Sequence, residues 1–103
     1  MRAIVAVDDG VRIWTPLGEE TGRFPRIEAE LGCILPPGST VQGQVVENAR
    51  FIADGILEWE GKDALWMSEA IREELLGLVL ERAMPGGIIQ QAESTIVDRE
   101  GGK

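Results

Sequence analysis

The chain contains no histidine, and only one of its 103 residues is a cysteine. Without an imidazole no Ser-His-Asp relay can be assembled, and no such base can activate a thiol. The lone Cys33 excludes an intramolecular disulfide and fits a reducing compartment; with nothing to activate it, its expected place is that of a small buried hydrophobe. Basic residues are scarce too. Ten Lys and Arg stand against eighteen Asp and Glu, a net charge of −8 that repels phosphate backbones and anionic lipid. Arg23 and Arg26 are close in sequence, but Glu19, Glu20, Glu28 and Glu30 surround them, so a mixed solvated surface is expected there and nucleic acid is not an expected partner. Long apolar runs are absent as well: "MRAIVAVDDG" is too short for a signal peptide or a membrane span, and a cytoplasmic protein without membrane contact is expected. No glycine-rich phosphate-cradling loop occurs.

What is present is a balanced composition, 44% hydrophobic and 27% charged, which predicts one folded domain over residues 1–97 and a flexible tail, "DREGGK", over 98–103. "RAIVAV" and "VRIW", joined by "DDG", read as a β-hairpin with an Asp-Gly turn, Val11 and Ile13 on one face and Arg12 and Trp14 on the other. That turn is a sufficient explanation for Asp8 and Asp9, so no metal pair is assigned to them. In "RFPRIEAEL" the spacing of Phe24, Ile27 and Leu31 predicts a short helix, with Pro25 in its first turn and Gly32 as its stop. "TVQGQVV" at 40–46 and "RFIADGILEWE" at 50–60 read as an antiparallel pair across "ENA", with Gly43 and Gly55 marking bulges and "GKD" turning the chain out of the second strand.

The strongest helical signal is "SEAIREELLGLVLERA", 68–83, with Ser68 as N-cap, Glu69 at the positive end and Arg82 at the negative end. Ile71, Leu75, Leu78 and Val79 form an apolar stripe that Leu76 and Leu80 widen. Glu69, Glu73, Glu74 and Glu81 diverge around the helix and are read as solubilising charges, not as a carboxylate site. "IIQQAESTIV", 88–97, is a final strand. The expected fold is α+β, order ββαββαβ, with a largely antiparallel sheet and one long helix packed on it. Trp14, Trp59 and Trp66 are expected in the core or at its rim.

Taken in order, these elements resemble the middle of the adenylation domain of ATP-dependent DNA ligases, covalent nucleotidyltransferases. "WTPLGEETGRFPRIEAEL" is similar to the family's Thr-x-Arg-Phe-Pro segment leading into a helix, through Thr21, Arg23, Phe24 and Pro25. "LPPGSTVQGQVV" and "ARFIADGILEWEGKDALWMSEAIREELL" resemble its next strand and its strand-to-helix segment, and "MPGGIIQQAEST" the following turn and strand. The chemistry that the resemblance implies is not carried over. The family's nucleophilic lysine would precede residue 2, and the lysines present are Lys62, in a turn, and Lys103, at the carboxyl terminus. The family's motif arginine falls on Pro16, its glutamate on Gln44, the aspartate before it on Gln42, its adenine-stacking aromatic on Asp54 and the next aspartate on Gly55. An amide has a carboxylate's shape without its charge.

The expectation is therefore a non-catalytic, ligase-derived domain without cofactor or metal, acting as a structural or protein-interaction module. Two alternatives stand beside it: one piece of a split nucleotidyltransferase whose missing motifs come from another chain, and a small-ligand binder reusing the ancestral cleft. For the binder the candidate lining is Trp14, Gln42, Gln44 and Trp59, since alternate residues on neighbouring strands can converge on one face, and the resemblance adds Asp54. Because the family domain continues past both ends of this chain, uncovered apolar surface is expected to drive a homodimer or larger homo-oligomer. Its expected interface is Ile71, Leu75, Leu76, Leu78, Val79 and Leu80, or an edge strand at 88–97.

Overall fold

The computed structural model describes residues 1–82 and 87–92. The tail 98–103 and the second half of the strand expected at 88–97 lie outside the described residues. Among the described residues the fold is α+β, with two helices and a mostly antiparallel sheet. Strand β1 (Arg2–Val7) and β2 (Val11–Thr15) form the expected hairpin, followed by the short β3 (Gly18–Glu19), α1 (Pro25–Ile34), β4 (Ser39–Val46), β5 (Arg50–Trp59), the short β6 (Lys62–Asp63), α2 (Glu69–Leu80) and β7 (Ile89–Gln91). In the sheet the order is β3-β2-β1-β4-β5-β6, and β7 joins β5 in parallel, Phe51 facing Ile89.

Alternation fixes which face is buried. Ala3, Val5 and Val7 of β1 turn inward with Ile13 of β2, Val41 and Val45 of β4, and Phe51, Ala53 and Ile56 of β5. They join Phe24, Ile27, Leu31 and Ile34 of the α1 region and Leu76 and Val79 of α2 in one core. The β4–β5 ladder shifts register twice, between Thr40 and Val41 and between Gln42 and Gly43; the second shift falls at Gly43 and Gly55, where the sequence led one to expect bulges, and the first, with Leu57 as the extra residue, involves no glycine. Gly43 is required by close approach: a Cβ there would lie 2.3 Å from the Ile52 carbonyl oxygen. The β4–β5 turn places Glu47 and Asn48 at positive φ, the mirror-image turn that suits the twist of a hairpin.

Several expectations about the helices are corrected. Gly32 does not stop α1, which continues to Ile34. The stop comes from Leu35, whose backbone is extended because it precedes Pro36. Gly32 instead brings α1 close to β2, where an added Cβ would meet Val11 Cγ2 at 3.0 Å. Cys33, next along α1, is exposed and not a buried hydrophobe. The single long helix at 68–83 is shorter than expected: α2 has 12 residues against 10 for α1. Ser68 is its N-cap as expected, its Oγ accepting from the Ile71 amide at 3.2 Å, but Arg82 follows the helix end and the last turn carries no basic residue. Trp66 is not a core or rim residue; it stands 74% exposed beside the exposed Leu65.

Candidate functional site: the outer sheet face and its cleft

The join at residues 18–31 is a network of local hydrogen bonds. Helix α1 begins at Pro25, preceded by Phe24, which has no capping side chain. The exposed amide ends are satisfied from inside the helix: the Glu28 carboxylate accepts from Gly22 N at 2.9 Å and from Phe24 N at 3.0 Å, a negative group at the positive helix end. Thr21 Oγ accepts from Ile13 N at 3.2 Å and donates to Glu19 at 2.8 Å. Glu20 accepts from Thr15 Oγ at 2.9 Å and pairs with Arg23, and these contacts, the Thr15 hydroxyl first, hold its carboxyl below the ordinary glutamate value. Phe24 enters the core and the Arg23 guanidinium lies over its ring. Thr21, Arg23, Phe24 and Pro25 each thus have a local role in seating α1 against β2.

The outer face of the sheet, opposite the core, gathers most of the candidate lining. Cross-strand pairing sets Trp14 beside Ile4, Ile4 beside Gln42 and Gln42 beside Gly55. One step along, Arg2 pairs with Gln44. Asp54 is the extra residue at the second bulge, and both of its carboxylate oxygens accept from the Arg2 guanidinium. That hydrogen bond is the main cause of the raised Arg2 pKa. Trp14, Gln42, Gln44 and Asp54 therefore share one face. Trp59 does not join them: its neighbour Glu58 faces Thr40, bonded to its hydroxyl at 2.9 Å, which turns Trp59 to the other side against the core.

Two concavities meet at Gln42. One, of about 250 Å³, is lined by Arg2, Ile4, Trp14, Thr15, Pro16 and Gln42. The other, of about 190 Å³, lies between the sheet and α2 and is lined by Gln42, Asp54 and Gly55 of the sheet and by Glu69, Arg72, Glu73 and Leu76 of α2. Ile4 is 39% exposed and Leu17, in the β2–β3 turn, 77%. Neither Ile4 nor Arg72 stands out in the sequence. Ile4 sits in an unbroken apolar run that does not say which face is buried, and Arg72 reads as one more charge on a helix.

The apolar stripe of α2 divides. Leu76 and Val79 are buried within the chain's own core, Leu75 and Leu80 are half-buried against it, and Ile71 and Leu78 are exposed. Lys62 is exposed in the edge strand β6, and Lys103 lies outside the described residues. Among the described residues no group of three or more His, Cys, Asp and Glu side chains is placed to hold a metal ion, and no helix is long and apolar enough to cross a membrane. No family model, curated protein or solved structure matches the chain.

Proposed function

We propose that the chain is a non-catalytic interaction domain, built on a sheet resembling that of a ligase adenylation domain, which pairs with a second copy of itself through its outer sheet face. The row Trp14, Ile4 and Gln42, with Ile4 39% exposed and Leu17 beside the next turn 77% exposed, carries this reading. Apolar side chains held in register on a sheet form a flat surface that a copy related by a two-fold axis can match against itself. Charge selects the same face. Two copies that each carry −8 approach most easily where the surface is neutral. Around Ile4, Arg2 is paired with Asp54, and Gln42 and Gln44 carry no charge, while Arg12, Glu19 and Glu58 stand further along the face. The opposite edge of the hairpin is less suited to strand addition, because Ile13 N and O are already bonded to Thr21 Oγ and Glu20 N.

Sedimentation equilibrium over a wide concentration range tests the pairing. The wild-type chain is expected to reach a dimer mass, and Ile4→Glu, a change at a partly exposed site, to remain monomeric while keeping its circular dichroism. A monomeric wild-type mass throughout overturns the reading. The non-catalytic part is tested by incubation with labelled ATP and a divalent metal, where a covalent label mapping to Lys62 would refute it.

A further inference from the structure

We infer that the cleft between β4–β5 and α2 binds a small zwitterion of amino-acid size, its carboxylate on Arg72 and its ammonium group toward Glu69. The inference starts from Arg72. Its Nε is enclosed, yet it has no hydrogen-bond partner among the described residues. A buried donor left unmade is costly, and a guanidinium is suited to binding a carboxylate with two parallel hydrogen bonds. The volume of about 190 Å³ holds about six waters at roughly 30 Å³ each, which matches a molecule of a few heavy atoms.

The charge of the lining decides the class of ligand. Glu69 and Glu73 line the cleft with carboxylates, beside Asp54, whose charge is already paired with Arg2, so a simple anion drawn to Arg72 meets repulsion from the other walls. A simple cation meets the Arg72 guanidinium itself. A molecule carrying both charges satisfies both walls. Gln42, at the mouth, offers an amide that can donate to a carboxylate or accept from an ammonium group. Gly55 keeps the floor open: a side chain there would run into Gln42, whose Nε2 lies 3.0 Å from the place a Cβ would take.

This site does not depend on the pairing of two copies, and its test reads binding, not mass. Glycine, L-alanine, L-leucine and L-glutamine are titrated into the isotopically labelled chain, alongside acetate and methylammonium, and the amide resonances of Gln42, Gly55 and Arg72 are followed. At least one of the amino acids is expected to shift all three saturably, with acetate and methylammonium weaker by on the order of tenfold or more, as befits loss of one charge-assisted contact. Arg72→Gln is expected to weaken the amino acid by a similar factor. Glu69→Gln, at an exposed first-turn position, is expected to weaken it several-fold, and it decides the matter if Arg72→Gln does not fold. Absence of saturable shifts with every amino acid overturns the inference, as does acetate binding as tightly as they do, or an affinity indifferent to both substitutions.

Discussion

Glu28 shows how one side chain can set a whole join. Its carboxylate satisfies the Gly22 and Phe24 amides at the start of α1, and Phe24 is itself buried. Glu28→Ala leaves those donors without a partner and is expected to destabilise the fold by about 1–3 kcal/mol. Glu28→Gln keeps an acceptor oxygen and should lose less, and urea denaturation of the two variants checks the order. Glu20 supplies a pH-dependent counterpart. Its carboxyl lies below the ordinary value of 4.5, chiefly because the Thr15 hydroxyl donates to it and then because of Arg23. The folded state thus binds that proton less readily than the unfolded chain does. The resulting stabilisation is complete above the ordinary glutamate range and is lost as pH falls through the lowered folded value. Thr15→Val removes the larger cause, so the Glu20 carboxyl should titrate closer to its ordinary value by carbon-detected NMR, and the acid limb of stability should become shallower. Arg23→Gln should move it less. At this scale Arg72 was not legible: its sequence neighbours describe a solvated helix, and only the folded placement of α2 buries its Nε.

At the scale of elements, strands and helix starts were legible because their signals are local. The Asp-Gly hairpin, Pro25 in the first turn of α1 and Ser68 at the cap of α2 each depend on a few adjacent residues. What failed depended on tertiary placement. Gly32 looked like a stop, but the helix passes through it and ends where Pro36 forces Leu35 to extend. Trp59 looked available to the outer face, but the two bulges in β5 cancel, so it keeps the phase of Phe51 and Ala53 and lies on the core side; the sequence did not say which phase of β5 faces the core. The stripe on α2 named its apolar residues without saying which of them meet the sheet, since a broad stripe can turn either edge inward. That distinction changes what a substitution reports. Leu76 is 2% exposed, so Leu76→Glu buries an unpaired carboxylate and should unfold the domain; it would not dissociate an intact dimer. Leu76→Ala should cost about 2–5 kcal/mol, whereas Leu78→Glu, at a site 57% exposed, should stay within about 0.5 kcal/mol of wild type. Urea midpoints of the three variants separate these outcomes.

For the whole molecule, the net charge and the proposed pairing face make a joint demand on salt. Two copies at −8 repel at long range, while the patch around Ile4 is neutral, because Arg2 and Asp54 neutralise each other and Trp14, Gln42 and Gln44 carry no charge; Arg12, Glu19 and Glu58 lie further along the same face. The range of the repulsion is set by ionic strength: charges are felt to about 30 Å at 0.01 M salt and to about 8 Å at 0.15 M. Raising salt across that interval screens the repulsion and leaves apolar contact at Ile4 and Trp14 largely untouched. The dimer dissociation constant should therefore fall as salt rises, and sedimentation velocity at the two ionic strengths measures it. Ion pairs between copies would give the opposite dependence, since screening weakens attraction as well as repulsion. The Ile4→Glu chain fixes the interpretation. It places a further negative charge on each side of a two-fold interface, so it should stay monomeric at both ionic strengths. A wild-type dimer that loosens with salt would instead point to Arg2 and Asp54 exchanging partners across the interface, and the neutral face would no longer explain the pairing.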